Sequence, residues 1–445
     1  MLKRIKEIIN LAIPAVGEMM LYMLIWVADT LMVGKYGGQL GVSAVGLSSE
    51  IMYTFINIIV AMGLSIAITS IVAQLLGAKK NNEAHAFASE SLRLGVLIAI
   101  LIASIFFTFS KQILSASGAE NKVLTLGASY MRICSIGMLF NMFSNLLNGI
   151  FRGCKDTKSP LYGAFVLNIV NISLDYLLIF GKFGFPELGI NGAAIATTLG
   201  NIFCFLLLLK RIKTLPFKLS LKENIKLPNL KLLSNLAVPS AMQEAAFSIA
   251  RLLGVFMVIR LGSLAFSANQ IVVTIESISF MPGWGFAICA TSLVGHSKGE
   301  KNFKKAKEYA WDSLLLACTT MGISAIIFLF FSKELVGLFI KADEVEVIKL
   351  GSKCLMIGAI QQIPTAISMV LGGVLKGNGD SKTPFKASLF SNWALRVPLM
   401  YYFIYLKKMP ITYFWWITTA QWSLEAIILF YLYKKNFLKK ENEWN

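Results

Sequence analysis

Apolar runs of about twenty residues recur from one end of the chain to the other. Each is long enough to cross the ~30 Å hydrocarbon core of a bilayer as a helix. That repetition constrains the fold more than any motif, because a chain built this way has to satisfy its backbone hydrogen bonds without water. Composition points the same way: 56% of the residues are hydrophobic, 15% are charged, and the mean hydropathy is +0.67. A soluble chain of 445 residues would form two or three domains with about 25% charged residues to solvate them. A soluble multidomain enzyme and a disordered chain are both excluded.

The net charge of +18 does not indicate nucleic acid. Lys and Arg gather in alternate loops, as the positive-inside rule produces, and no basic stripe interleaves with aromatics. The six cysteines (Cys134, Cys154, Cys204, Cys289, Cys318 and Cys354) lie mostly within apolar runs, without paired or metal-type spacing. They read as small buried hydrophobes. The first apolar run is too long for a cleavable signal and is expected to be retained as a span.

Twelve spans are expected. Their apolar cores cover 8–33, 46–75, 91–109, 126–150, 161–180 and 191–209, then 233–260, 268–296, 312–331, 350–375, 386–406 and 412–433. An even count puts both termini on one side, and the loops of that side carry most of the Lys and Arg, so both termini are expected in the cytoplasm. The longest connection is densely basic and divides an N-lobe, 1–213, from a C-lobe, 232–445, through a cytoplasmic linker over 214–231. A short cytoplasmic tail closes the chain.

The halves repeat. Leu11-Ala-Ile-Pro14 answers Leu236-Ala-Val-Pro239, and FRGCKDTKSP (151–160) answers LKGNGDSKTP (375–384), with the offset staying near 224 residues. Six spans per half make the repeats parallel, related by an axis along the membrane normal, as in secondary transporters that work by alternating access.

Several motifs then carry a resemblance. The run from Pro14 through Asp29-Thr30 to Gly34, the paired R/K-G-x-x-D-[TS]-K-[ST]-P loops, NISLDYLLIFG (171–181), GAAIAT (192–197) and the MPGWGF…VG segment (281–295) occur in order over essentially the whole chain. Together they resemble the multidrug and toxic compound extrusion (MATE) family, with DinF-like and NorM-like features. The resemblance implies an all-α membrane protein of twelve helices in two pseudo-twofold six-helix bundles that form a V-shaped cavity. It further implies export of amphiphilic or cationic drugs and toxins in exchange for H⁺ or Na⁺, without a cofactor. The expected setting is a prokaryotic cytoplasmic membrane, with the bilayer and the exported compound as partners and the monomer as the working unit.

An ionisable side chain in mid-membrane costs several kcal/mol, so each one is a functional hypothesis. Asp29 corresponds in the repeat to Leu253 or Gly254, Asn171 to Leu395 and Asp175 to Leu399, so these polar positions belong to the N-lobe alone. Asn171 and Asp175 are four apart and share a helical face. Thr197 opens the next helix, and the family arrangement implies that Asn148 faces the same region from the fourth span. In the DinF-like branch these positions match an N-lobe cation site. The expected site is therefore Asp29, Asn148, Asn171, Asp175 and Thr197, with Asp29 as main acceptor of H⁺ or Na⁺ and Asp175 as its partner. The Na⁺ ligands would come from Asp29, Asn171, Asp175 and Thr197.

Pro14 removes a backbone hydrogen bond and is a candidate hinge. Glu18 and Glu244 are candidates for attracting cationic substrate or relaying protons. NorM-like relatives keep an aspartate in the tenth span where this chain has Thr365, which weighs against a C-lobe cation site. Glu276 and Arg396 receive no role from the sequence. Neither His85 nor His296 makes a catalytic or metal cluster, and there is no phosphate-binding loop, so an enzyme is not expected. The alternative function is a lipid-linked oligosaccharide or lipid flippase of the same superfamily.

Overall fold

A computed structural model describes residues 2–117, 121–220, 226–340 and 344–437. Among the described residues there is no strand, and ten helices are long and apolar enough to span a membrane. They are α1 (Lys3–Gly38), α2 (Leu40–Gly77), α3 (Asn81–Ala116), α4 (Lys122–Gly153), α5 (Lys158–Phe180), α6 (Ile190–Thr214), α7 (Leu227–Ile259), α8 (Ser263–Gly299), α9 (Phe303–Phe330) and α10 (Val345–Gly377). Two more helical stretches, α11 over 382–406 and α12 (Ile411–Leu432), complete the expected twelve. Residues 221–225 of the expected basic linker, and the expected tail from 438 onward, lie outside the described residues.

The helices outrun the apolar cores that announce them. α3 begins at Asn81 and ends at Ala116, although its apolar core covers only 91–109. Polar residues mark where the hydrocarbon ends, but they do not stop a helix whose hydrogen bonding continues into the headgroup layer. In α11 the bonding opens into wider π turns over Ser391–Arg396 and Tyr401–Leu406.

Contacts divide the chain into two units, one of residues 17–237 and one of residues 1–16 with 238–445. α1 and α7 each change unit in mid-helix, close to Pro14 and Pro239. Residues 1–16 are anchored in the second of these units by several contacts. Arg4 pairs with Glu308 and Asp312 at 3.0 Å each, Tyr309 donates to Glu7 at 2.5 Å, and the Cys289 thiol donates to the Ile8 carbonyl.

The sequence repeat becomes a repeated packing device. Within one unit Thr69 Oγ1 donates to the carbonyls of Ser65 and Gly149, tying α2 to α4; within the other, Thr291 Oγ1 does the same to Ala287 and Gly373, tying α8 to α10. Each threonine faces a G-x-x-x-G pair, Gly149/Gly153 and Gly373/Gly377, whose missing side chains allow the backbones to meet. A Cβ at Gly373 would lie 2.4 Å from the Ala287 carbonyl oxygen, and one at Gly377 would lie 2.5 Å from that of Thr291. Gly373→Ala is therefore expected to destabilise the protein by about 1–3 kcal/mol. Gly372→Ala, with no atom within 4 Å of its new Cβ, serves as the neutral control in the same detergent-denaturation series.

The aspartate of the repeated loop motif is a helix cap in both copies. Asp156 accepts from the N–H groups of Lys158 and Ser159 and from the Ser159 hydroxyl, and Asp380 accepts from the N–H and hydroxyl of Thr383. That arrangement satisfies orphan donors at the starts of α5 and α11. Replacing either Asp by Ala is expected to cost about 0.5–2 kcal/mol in the same assay.

Candidate functional site

Four of the five expected N-lobe residues converge. Asn171 and Asp175, one turn apart on α5, are 1% and 0% exposed. Asn171 Nδ2 donates to Thr197 Oγ1 on α6 at 3.2 Å, and the Thr197 hydroxyl reaches Asp29 Oδ2 on α1 at 3.4 Å. Asp175 and Asp29 are electrostatic neighbours of one another. Asp29 Oδ1, Asn171 Oδ1 and both Asp175 oxygens are buried and take no hydrogen from a neighbouring hydroxyl, amide or backbone N–H, while the two carboxyls lie within hydrogen-bonding reach of each other, so that a proton can be shared between them. Buried acceptors are ordinarily paired, so this cluster of oxygens is chemically suited to a cation or an exchangeable proton. Tyr130 and Cys134 of α4 feel the charge of Asp29 from the far side, a contribution the sequence did not single out.

Asn148 is elsewhere. It lies fourteen residues along α4 from Cys134, about 21 Å at the rise of a helix, and cannot serve both places. Its Nδ2 donates to Glu18 Oε1 at 3.1 Å. Arg152 Nη2 reaches both Glu18 oxygens at 2.8 Å, and Tyr22 lies against Asn148. Glu18 is 0% exposed. Glu18, a candidate for attracting cationic substrate or relaying protons, is half of a buried ion pair within the unit of residues 17–237. Pro14, the candidate hinge, is buried in α1 beside the point where that helix changes unit.

The second unit has a polar set of its own, and of its members Lys376 stands at the repeat position of Arg152. Glu276 of α8 accepts from Gln361 Nε2, and from Gln362 Nε2 at 3.4 Å, both on α10. It also faces the charge of Arg396 on α11. Arg396 is 5% exposed and lies over the Phe247 ring at 5.9 Å. Glu425 of α12 and Lys376 of α10 are buried as well. Glu244 on α7 is half-buried, accepts from Ser248 at 3.4 Å, and acts by charge on Lys376. Glu276, Arg396 and Glu244 stand out in the sequence as ionisable groups within apolar runs, but nothing in it joins them to one another. Among the described residues no three His, Cys, Asp or Glu side chains cluster as a metal site, and all six cysteines are free thiols.

Comparison with known proteins places this architecture. The chain is 28% identical over 402 residues to the probable multidrug resistance protein NorM of Thermotoga maritima, covering 89% of this chain and 85% of that one. Its fold matches a crystal structure of a MATE protein in complex with MaL6 at a TM-score of 0.91 and 22% identity, over 99% of this chain and 97% of that one. It matches a MATE protein in the bent conformation at 0.90 and 21% identity, over 99% and 96%. The MatE family model aligns twice, to residues 14–177 and again to 239–402, one copy in each sequence repeat. The chain is a member of the MATE family.

Proposed function

We propose that this protein is a secondary active multidrug exporter, in which entry of H⁺ or Na⁺ through the Asp29–Asp175 cluster drives the exit of amphiphilic, often cationic, compounds. The observation that carries the reading is the pair of carboxyls, Asp29 and Asp175, held within hydrogen-bonding reach of each other beside the buried Asn171 oxygen. Two carboxyls placed together in a membrane helix bundle without a cation are costly as mere structural glue, and they accommodate one positive charge. Relatives named for multidrug resistance across most of the chain support the substrate class. Asp29 is the main acceptor, Asp175 shares the charge, and Asn171 and Thr197 orient the two.

Coupling to movement runs through α1, which carries both Asp29 and Pro14. Taking up a cation changes the contacts that Asp29 makes with α5 and α6, and the missing hydrogen bond at Pro14 gives the helix a place to bend. Glu244, half-buried on α7, attracts the cationic compound. The protein works as a monomer in a prokaryotic cytoplasmic membrane, with both termini in the cytoplasm.

Purified protein in liposomes, given ethidium under a pH gradient or a Na⁺ gradient imposed separately, is expected to concentrate the dye under one of the two. Absence of dye accumulation under both would overturn the reading and direct attention to flipping of lipid-linked substrates.

A further inference from the structure

Glu425 is a buried acid with no part in the coupling proposed above. It is 3% exposed, and its hydrogen-bond partners are all neutral. Ser368 Oγ donates to Oε1 at 3.0 Å, Gln421 Nε2 donates to Oε2 at 2.8 Å, and Ser391 Oγ lies 2.6 Å from Oε2. The charged groups around it come from four helices. Lys376 on α10 and Arg396 on α11 act on it by charge; Lys376 also faces Glu244 of α7, and Arg396 faces Glu276 of α8 and Arg251 of α7.

The hydrogens around Glu425 can be placed in two ways. Ser391 has one O–H and two acceptors in reach, Glu425 Oε2 at 2.6 Å and the Ser388 carbonyl at 3.1 Å. Thr69 and Thr291 share their hydrogens almost evenly between two carbonyls, but these two distances are unequal, so the Ser391 hydrogen lies mainly toward one acceptor. If Glu425 carries a proton on Oε2, that proton lies on the 2.6 Å line to Ser391 Oγ, a normal O–H···O length. Ser391 is then free to donate to Ser388. If Glu425 is ionised, Ser391 has to turn its hydrogen to Oε2 and release the Ser388 carbonyl. That exchange falls at the residue where α11 opens into its first π turn, a kind of distortion found frequently at functional sites. Gln421, 0% exposed, also leaves its Oε1 buried without a donor, an open acceptor beside the carboxyl for a water that brings the proton.

The repeat supplies a contrast. Lys376 occupies the place that Arg152 holds in the other unit. There Arg152 grips Glu18 at 2.8 Å, and a guanidinium does not give up its proton. Glu425 has hydroxyls and an amide where Glu18 has that clamp.

We propose that Glu425 is a proton-exchange site, separate from the Asp29–Asp175 cluster, with its proton lodged between Oε2 and Ser391 Oγ. Release of the proton passes the Ser391 hydroxyl from Ser388 to Glu425 and so changes the hydrogen bonding of α11.

Infrared spectra of the protonated-carboxyl band test this without transport, so the result is independent of the coupling reading. Wild type, Glu425→Gln, Ser391→Ala and Asp29→Asn are titrated with pH in lipid nanodiscs. Glu425→Gln is expected to lose one titrating band that Asp29→Asn keeps. Ser391→Ala, which leaves the carboxyl in place, is expected to shift the frequency of that same band because its hydroxyl partner is gone. A full set of wild-type titrating bands in Glu425→Gln, a Glu425 band that does not change with pH, or an unmoved frequency in Ser391→Ala would each overturn the proposal.

Discussion

Replacing Asp29 with Asn is expected to abolish gradient-driven accumulation of dye while leaving the protein folded. The substitution is nearly isosteric and keeps an oxygen for Thr197, whose hydroxyl reaches Asp29 Oδ2 at 3.4 Å. It removes the charge that makes the cluster attract a cation. Free energies of coupling between two sites are typically 1–3 kcal/mol, so the drug ratio that a gradient supports should fall by about 5- to 150-fold. Dye should still bind, because binding and coupling are separable quantities. The comparison uses wild type and variant in matched liposomes under the gradient that drives transport. A variant that concentrates dye as well as wild type would remove Asp29 from the mechanism.

The second large effect is on stability. Glu18 and Arg152 form an ion pair at 2.8 Å with side chains 0% and 7% exposed. Removing one partner strands the other charge in the protein interior, which typically costs about 3–5 kcal/mol. Arg152→Met is therefore expected to lower the denaturation midpoint in detergent sharply. The double variant Glu18→Gln with Arg152→Met should recover much of the loss, since no unpaired charge remains. Additive losses in the double variant would show that the pair contributes through packing, with charge compensation playing little part.

How much of this was legible in the sequence depended on the kind of question asked. Span number followed from hydropathy, because the bilayer imposes it, and the twofold repeat from matching segments at a constant offset. A four-residue spacing put Asn171 and Asp175 on one helical face, and it was the family resemblance that implied Asp29 and Thr197 beside them. Asn148 did not join them, since position along a long helix is decided by which neighbour it crosses, and the sequence gives no such register. Arg152 was read as part of a loop motif, yet α4 carries it as far as Gly153, where it lies buried against Glu18. Glu425 and Gln421 sit in a final helix rich in Trp and Tyr, at the positions that the 224-residue offset sets against Asn201 and Thr197; comparison outward from Asp29, Asn171 and Asp175 does not reach them.

The exchange of helix ends at Pro14 and Pro239 has a consequence for how the protein is made. Residues 1–16 leave the ribosome well before the groups that hold them, among them Asp312 and Tyr309, which lie about 300 residues later. At about 5–20 residues per second the opening turns of α1 wait about 15–60 s for their partners. Through that interval Arg4 and Glu7 lack their partners on α9, so the start of α1 completes its packing only once the ninth span has emerged.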